Sequence, residues 1–231
     1  MTNRKFIIAI DGPAGSGKST TARLLAERLG YVYLDTGAMY RAFTLKVLRE
    51  GLDLHDEKAL TELAQRTAIR LKPTKEGLRV FLDGEDVTDK IRTPEIDRAI
   101  SLVSRVPGVR ERMVALQREL GQAGGIVAEG RDIGTVVFPN ADVKIFLVAT
   151  PEARAKRRLK DLAAQGVQAT VEEVLADIQR RDALDSTRAV SPLKKADDAF
   201  ELDTSTLTIP QQVEAILKLV QEKQKEKEAK R

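Results

Sequence analysis

A glycine-rich segment near the N-terminus, between an apolar run and a helix-forming stretch, restricts this chain to few folds. The segment Gly12-Pro-Ala-Gly-Ser-Gly-Lys-Ser-Thr20 fits the pattern G-x-x-x-x-G-K-[ST], which is typical of phosphate-binding loops. Phe6–Ile10 precedes it and predicts a strand, and Thr21–Leu29 follows it and predicts a helix. An ordinary glycine-rich surface turn is the alternative, but the closing Lys-Ser pair favours a loop that binds a nucleoside triphosphate.

The chemistry of such a loop depends on backbone amides, one lysine and one hydroxyl. Glycines let backbone N–H groups curl around a phosphate chain, and the N-terminus of the following helix adds positive dipole. We therefore expect Lys18 to reach the outer phosphates and the Ser19 hydroxyl to join the ligand shell of Mg²⁺. The residues predicted to hold the triphosphate are Gly12, Pro13, Ala14, Gly15, Ser16, Gly17, Lys18, Ser19 and Thr20.

The composition excludes several other classes of protein. The 231 residues suit one domain, and a hydrophobic content of 42% suffices for a core. Cysteine is absent, which excludes disulfides and thiolate metal sites. An aromatic content of 4% argues against base-stacking platforms for single-stranded nucleic acid. No apolar run approaches a membrane span and the N-terminus lacks the apolar core of a signal peptide, so we expect a cytoplasmic protein with no membrane partner.

The basic balance of the chain has a local explanation. A net charge of +4 would suit a nucleic-acid partner. However, the tail Gln221–Arg231 mixes both signs and is predicted to be a frayed, solvated helix end. Several arginines elsewhere fall near predicted phosphate sites, so no nucleic-acid partner is expected.

Apolar strands alternate with helices along most of the chain, which predicts an α/β fold with a parallel sheet covered by helices on both faces. One stretch departs from this pattern, because Ile69–Lys72, Leu78–Leu82 and a short piece around Val87 alternate like strands. Lys75–Gly77 and Asp83–Gly84 are hairpin signals between them. We therefore expect a small antiparallel insert, and a ligand site beyond the carboxyl ends of the parallel strands.

Arginines outside the glycine-rich loop form the second functional signal. Arginine keeps its charge at physiological pH and offers a planar fork of donors that matches phosphate oxygens. Phosphoryl transfer needs such charge, because its catalysis is mostly positioning and electrostatic stabilisation. Taken singly, each arginine is better explained as an ion-paired surface residue. The recurrent ones are Arg41, Arg110, Arg131, Arg154, Arg157, Arg158, Arg180, Arg181 and Arg188.

Five segments, in order and with intact spacing, resemble motifs of the bacterial cytidylate kinase family. They are Gly12–Thr20, Asp35–Arg41, Ile91–Glu95, Gly130–Pro139 and Arg181–Arg188. The resemblance covers nearly the whole chain. That family belongs to the nucleoside monophosphate kinases and transfers the γ-phosphoryl group of ATP to CMP or dCMP. The resemblance thus implies two substrates, ATP with Mg²⁺ and a cytidine monophosphate, for a monomeric enzyme of pyrimidine metabolism.

The resemblance also implies an architecture. Family members have a P-loop NTPase fold with a five-stranded parallel core flanked by helices, an inserted lobe that binds the nucleoside monophosphate, and an arginine-bearing lid. The antiparallel insert would belong to that lobe. The implied boundaries are a core at 1–35, 106–150 and 168–220, the lobe at 36–105, the lid at 151–167 and the charged tail at 221–231.

Site residues follow from the same resemblance, position by position. The clamp on the CMP phosphate would be Arg41, Arg131 and Arg188. The residues that read cytosine would be Ser101, Arg110 and Asp132. The sugar and the substrate phosphate would be surrounded by Tyr40, Arg181 and Asp185, with Thr36 near the phosphate end. The groups expected to act on the transferring phosphoryl are Lys18, Arg131, Arg188 and Arg157.

The cytosine assignment agrees with the chemistry of the base. Cytosine presents an amino donor beside two acceptors, and a carboxylate such as Asp132 accepts from an amino group. A guanidinium such as Arg110 donates to the acceptor side. Uracil would place a carbonyl against the carboxylate. A simple ion pair between Asp132 and the neighbouring Arg131 is the alternative.

The roles of two other carboxylates stay open at this stage. Asp11 either assists Mg²⁺ indirectly or hydrogen-bonds the loop, and Glu129 suits a place near Mg²⁺ through water. On the predicted lid helix, the arginines either close over the transferring group or form a basic solvated face. No general base is required, because the acceptor phosphate is already ionised near neutral pH. The single histidine, His55, lies between two predicted helices and is predicted to be a surface-turn residue.

Two other functions compete with a (d)CMP kinase. One is a kinase for a different small acceptor, which would have no reason to carry Ser101, Arg110 and Asp132 together. The other is a nucleotide-dependent switch. Switches that bind GTP usually carry an Asn-Lys-x-Asp segment, and this chain has none.

Overall fold

The computed structural model describes residues 5–74, 77–164 and 166–229. The strands are β1 (Ile7–Asp11), β2 (Val32–Asp35), β3 (Ile69–Thr74), β4 (Gly77–Leu82), β5 (Glu85–Asp86), β6 (Ile126–Gly130), β7 (Val143–Val148) and β8 (Phe200–Asp203). The α-helices are α1 (Lys18–Leu29), α2 (Thr36–Arg49), α3 (Glu57–Gln65), α4 (Pro94–Ser104), α5 (Pro107–Gly121), α6 (Pro151–Ala164), α7 (Val171–Thr187) and α8 (Ile209–Ala229). A π-helical turn, Ile133–Val137, lies between β6 and β7.

The larger sheet confirms the predicted parallel core. It has five strands in the order β2-β6-β1-β7-β8, all parallel to their neighbours. In the register of the sheet, Asp11 lies opposite Gly130, and Asp35 lies opposite Glu129. The carboxyl ends of β1, β2 and β6 therefore bring polar residues together at one edge, where ligands of such sheets bind.

Each face of this sheet buries its own hydrophobic core, because successive side chains of a strand point to opposite faces. Ile7 and Ala9 of β1 belong to a core with α2, α3 and α5. Ile8 and Ile10 belong to a second core with α1 and α8. Burial on both faces explains why the central strand is a continuous apolar run rather than an alternating one.

The antiparallel insert is also confirmed. Strands β3, β4 and β5 form a separate sheet in that order, and its Val80 and Leu82 pack into the core that contains α2. Asp83 and Gly84 form the predicted two-residue turn, with φ of 49° and 90°. The other predicted turn falls partly on residues 75 and 76, which lie outside the described residues, although β3 and β4 pair on either side of it.

The charged tail is a mostly exposed helix end, as predicted, but it is not frayed up to Ala229. Helix α8 continues to that residue, and its last turn contacts residues that directly precede β7 and β1. Lys227 donates to Asp142 at 2.7 Å, and its ammonium lies 4.7 Å from the centre of the Phe6 ring. These contacts stabilise the end of the helix, so the charged composition there does not indicate disorder. Over the three described ranges, we find no helix with the length and apolarity of a membrane span.

Candidate active site

A cleft of about 220 Å³ lies beyond the carboxyl ends of the parallel strands. Its walls come from the glycine-rich loop, from helices α2, α4 and α5, from the segment after β6, and from helices α6 and α7. Most residues predicted from the sequence line it. They are Ala14, Gly15, Lys18, Ser19, Thr36, Tyr40, Arg41, Ser101, Arg110, Arg131, Asp132, Arg181, Asp185 and Arg188.

The glycine-rich loop adopts a backbone that side chains would obstruct. Gly12 has a φ of 149°, and a Cβ there would lie 2.2 Å from the carbonyl oxygen of Leu147 on β7. Gly17 precedes α1 with a φ of 92°, in the left-handed region that glycine tolerates. The sequence pattern therefore matches a tight turn that opens directly into a helix N-terminus, the geometry that binds phosphates.

Lys18 is buried within this loop. Its ammonium donates to the carbonyl of Pro13 at 2.7 Å and to the hydroxyl of Ser16 at 3.4 Å. Burial and the nearby Arg131 lower the pKa of Lys18 to about 7. A group of additional negative charge, such as a phosphate, would restore the charged form. The lysine is thus held at the point where a triphosphate would meet the loop.

Residues distant in sequence support the loop from behind. The Thr204 hydroxyl, after β8, donates to the carbonyl of Ser16 at 2.9 Å. Gln212 on α8 accepts from the Thr21 hydroxyl at 2.7 Å. Sequence reasoning missed both of these supports. A Thr or Gln in these positions is an ordinary helix-start or loop residue, so only the tertiary contact identifies it.

A carboxylate pair lies beside Ser19 and determines which cation suits this place. Glu129 accepts from the Tyr33 hydroxyl at 2.9 Å, and Asp35 accepts from the Ala38 amide at 2.8 Å at the start of α2. Burial and the charge of Asp35 raise the pKa of Glu129. Within the described residues, no group of three or more His, Cys, Asp or Glu could hold a metal on its own. These oxygen donors suit Mg²⁺ when phosphate oxygens complete its shell.

Asp132 pairs with Arg110 and not with the adjacent Arg131. Both side chains are buried, and the Arg110 guanidinium donates from Nη2 to Oδ2 of Asp132. Arg110 also donates to the carbonyl of Ser104 at 3.2 Å and lies 5.6 Å from the centre of the Tyr40 ring. The other oxygen of Asp132, Oδ1, lies 3.8 Å from Nη2 of Arg188. A buried ion pair with remaining acceptor capacity therefore faces the cleft.

The arginines of the predicted phosphate clamp converge from three segments of the chain. Arg131, after β6, donates from Nε to Asp185 on α7 at 2.8 Å. Arg188 ends α7 and donates from Nε to the carbonyl of Ser191. Arg41 on α2 donates to Asp97 on α4. Each guanidinium keeps further N–H donors beyond these contacts, because arginine carries five.

Several residues that line this cleft carry a buried polar atom with no hydrogen-bond partner among the described residues. They are the Tyr40 hydroxyl, Nε of Arg110, Nε of Arg181 and Nη2 of Arg188. Burying such donors without partners costs about 1–3 kcal/mol each. Four of the eight such atoms in the described residues thus belong to this cleft, where a ligand with acceptor groups would offer them partners.

The predicted lid helix, α6, places its arginines in three different surroundings. Arg154 donates twice to Asp182 on α7, at 3.0 and 2.6 Å, and to the carbonyl of Ala14 at 3.2 Å. Arg157 donates to the carbonyl of Gly15 at 3.3 Å and to the Thr204 hydroxyl at 3.1 Å. Arg158 lines the cleft. A basic solvated face is thus excluded, because all three arginines make tertiary contacts.

Two roles were considered for Asp11, and the structure fits the hydrogen-bonding one. Its partners, however, lie after β6 and not in the glycine-rich loop. Asp11 is buried, and its oxygens accept from the amides of Ile133 and Gly134 at 2.8 and 2.7 Å. Those amides open the π-helical turn that follows Asp132. Burial raises the pKa of Asp11 to about 6. Asp11 therefore fixes the segment that carries Arg131 and Asp132.

Comparisons with known proteins agree on one family. A family model described as "Cytidylate kinase" matches residues 8–222. The cytidylate kinase of Pelotomaculum thermopropionicum is 55% identical over 211 residues, which cover 91% of this chain and 93% of that protein. The cytidylate kinase of Bacillus subtilis is 52% identical over 220 residues, which cover 95% and 98%.

A solved structure of low sequence similarity has a similar fold. It is an uncharacterized protein from Eubacterium ventriosum, with a TM-score of 0.52 at 13% identity. The match covers 94% of this chain and 99% of that one. At this identity the likeness concerns the fold alone.

Proposed function

Since this chain belongs to the cytidylate kinase family, we propose how the residues of its cleft carry the transfer of the γ-phosphoryl group from ATP to CMP or dCMP. The protein is a (d)CMP kinase, a phosphotransferase whose acceptor is itself a phosphate. One observation carries the residue assignments. The buried Arg110–Asp132 pair, which suits cytosine, lines the same cleft as Lys18 and Ser19 of the phosphate loop.

The donor nucleotide binds through the loop Gly12–Thr20. Its backbone amides and the N-terminus of α1 hold the phosphate chain, and Lys18 neutralises charge on the β- and γ-phosphates. Mg²⁺ would be held by the Ser19 hydroxyl and the nucleotide's phosphate oxygens, with Glu129 and Asp35 close by; when bound, it neutralises charge that develops on the phosphates.

The acceptor phosphate binds between Arg41, Arg131 and Arg188. These guanidiniums come from different elements, so their convergence fixes one place for a doubly charged group. Asp185 holds Arg131 from one side and is poised for the sugar on the other. Thr36, at the start of α2, and Arg181 complete the surroundings of the phosphate and sugar. The acceptor oxygen is already ionised, so positioning and charge stabilisation suffice and no protein base is needed.

The base is read by Asp132, Arg110 and Ser101. Oδ2 of Asp132 is held by Arg110, which leaves Oδ1 to accept from the exocyclic amino group of cytosine. The donors of Arg110 then serve the acceptor side of the base, and Tyr40 packs against the same guanidinium. Uracil would place a carbonyl against Asp132, so that two buried hydrogen-bond acceptors would face each other without a donor between them.

A panel of acceptors in a coupled assay of ADP release tests this function. We expect CMP and dCMP to give the highest kcat/KM, with UMP, AMP and shikimate well below. ADP release without an acceptor should be slow, and addition of CMP should accelerate it. Rates for AMP or shikimate equal to that for CMP would refute the acceptor assignment, and unchanged hydrolysis upon CMP addition would favour a switch.

The variant Asp132→Asn tests the base reader separately. Its amide retains an oxygen for Arg110 but presents an N–H₂ where cytosine also carries a donor. We expect the ratio of kcat/KM for CMP over UMP to fall by about tenfold to hundredfold. Asp198→Asn is the control, since the exposed Asp198 side chain pairs with Lys144 and does not line the cleft. An unchanged CMP over UMP ratio in a folded Asp132→Asn protein would remove Asp132 from base recognition.

Three statements about the whole protein belong to the same proposal. We propose Mg²⁺ as the cation that accompanies ATP, the cytoplasm as its location, and a monomer as its working form. Mg²⁺ is supported by the oxygen donors beside the phosphate loop. The location is supported by the substrates, because ATP and CMP are metabolites of the cell interior. Sedimentation at micromolar concentration tests the monomer: the mass of one chain would support it, and the mass of two chains would contradict it.

A further inference from the structure

Asp97 joins three helices through a single carboxylate. It lies on α4, and its Oδ1 accepts from Arg41 on α2 while its Oδ2 accepts from Arg158 on α6 at 2.7 Å. Helix α2 belongs to the predicted lobe, and α6 is the predicted lid. Both arginines line the cleft. Asp97 therefore links a predicted acceptor-phosphate ligand to the segment expected to close over the donor.

The surroundings of this carboxylate keep it charged. The Asp97 side chain is 16% exposed, those of Arg41 and Arg158 are 17% and 28% exposed, and Arg181 lies nearby at 12%. Burial works toward a neutral carboxyl. The charges of Arg41, Arg181 and Arg158 outweigh it and hold the pKa of Asp97 below its usual range. Without this anion, like charges from three helices would repel one another across a partly buried space.

The contact leaves the arginines able to bind a ligand. Each guanidinium has five N–H donors in a rigid fork, and each donates only part of that fork to Asp97. Because a guanidinium is planar and rigid, the contact with Asp97 also fixes the direction of its remaining N–H donors. A carboxylate with two lone-pair-bearing oxygens is well suited to orient two such forks relative to each other, whereas a neutral amide has only one acceptor oxygen.

We propose that Asp97 is a positioning residue that couples the acceptor-phosphate clamp to the lid, by holding Arg41 and Arg158 in one arrangement across the cleft. The proposal rests on the (d)CMP kinase function and adds to it a residue outside the family motifs quoted above. Asp97 itself does not line the cleft, whereas Arg41 and Arg158 do. Its effect is exerted through these two arginines, whose positions contribute to the transfer step.

The test is the variant Asp97→Asn, which preserves size and removes the charge. We expect kcat with CMP to fall about tenfold, because Arg41 and Arg158 lose the ionic partner that orients them. We expect KM for CMP to change less than threefold, because Arg131 and Arg188 still bind the phosphate. We expect Arg158→Gln to lower kcat by a similar factor. In the double variant the loss should be smaller than the product of the two single losses, since both variants disrupt the Asp97–Arg158 contact.

Controls separate this role from a purely structural one. Glu50→Gln breaks the exposed Glu50–Arg66 ion pair, at 2.9 Å, and should leave kcat and KM unchanged. Asp97→Glu keeps the charge and should recover part of kcat. Thermal melting reports any loss of folding separately.

Three results would overturn the proposal. They are a kcat of Asp97→Asn within twofold of the parent, a normal kcat for Arg158→Gln, or losses that multiply in the double variant. If Asp97→Asn does not fold, a normal kcat for Arg158→Gln or a kcat of Asp97→Glu no higher than that of Arg158→Gln still overturns the proposal. The acceptor panel on the parent protein is measured first. A preference for CMP there, with an unaltered Asp97→Asn, would refute the coupling while leaving the kinase function intact.

Discussion

Replacement of Arg131 by methionine should lower kcat/KM for CMP by about a hundredfold to a thousandfold, the usual cost of losing one preorganised donor at a developing charge. Arg131 lies in the segment that Asp11 fixes, and its Nε is held by Asp185 at 2.8 Å. The guanidinium is thus oriented before any substrate arrives. Methionine fills the same space without donors. Steady-state kinetics with saturating ATP and varied CMP measure the effect.

Arg188→Met should give a loss of the same order, because Nη2 of Arg188 is buried without a hydrogen-bond partner among the described residues and faces the same cleft. Arg180→Met is the matched control. Arg180 lies on α7 but pairs with Asp177 at the surface, with a half-exposed side chain. Its activity should stay near the parent value. If Arg131→Met and Arg188→Met both fold and both keep near-normal activity, the phosphate clamp has been assigned to the wrong residues.

The donor half of the cleft could be predicted from the sequence because its geometry is local. The loop Gly12–Thr20 is contiguous, and its glycines encode the positive φ angles that the turn requires. The strand before it and the helix after it were equally readable from their periodicity. Nothing distant in sequence is needed to recognise this half, which explains why a short pattern identifies it.

The acceptor half could be predicted only through the family resemblance. Arg41, Arg110, Arg131 and Arg188 are separated by 21–69 positions along the chain, and periodicity carries no information on which arginines converge. The partner of Asp132 illustrates the limit. Chain neighbourhood suggested Arg131, whereas the fold brings Arg110 of α5 to it. Pairing between distant segments follows from packing of α5 against the sheet, which no local pattern encodes.

The supporting residues were beyond sequence reasoning for the same cause. Thr204, Gln212 and Asp97 are common residue types in ordinary positions, and each matters only through a tertiary contact. In the charged tail, the sequence predicted the general environment but missed one specific contact. Its mixed charges indicate solvation, which holds for most of its side chains. Lys227, however, contacts the Asp142 carboxylate and the Phe6 ring, which directly precede β7 and β1. Composition describes the average environment of such a segment and misses a single specific contact.

The variant Lys18→Met should show the second large effect, a fall in kcat of about a thousandfold or slightly less. Lys18 is the charge of the phosphate loop, and it is buried against Pro13 at 2.7 Å. Methionine keeps about the same packing volume, and thermal melting of the variant separates any loss of folding from the loss of catalysis. Kinetics with saturating ATP and CMP test the catalytic loss, and a kcat within tenfold of the parent would contradict the role of Lys18.

A proton measurement tests the same lysine without catalysis. The pKa of Lys18 is lowered to about 7, by burial first and by Arg131 second, so at pH 8 most of the unliganded protein carries it neutral. Triphosphate binding favours the charged form and raises this pKa, because opposite charges then lie together. Binding of ATP at pH 8 should therefore take up most of one proton in the parent and almost none in Lys18→Met. Calorimetry in buffers of different ionisation enthalpy measures that uptake. Equal uptake by both proteins would place the titrating group elsewhere and leave Lys18 charged throughout.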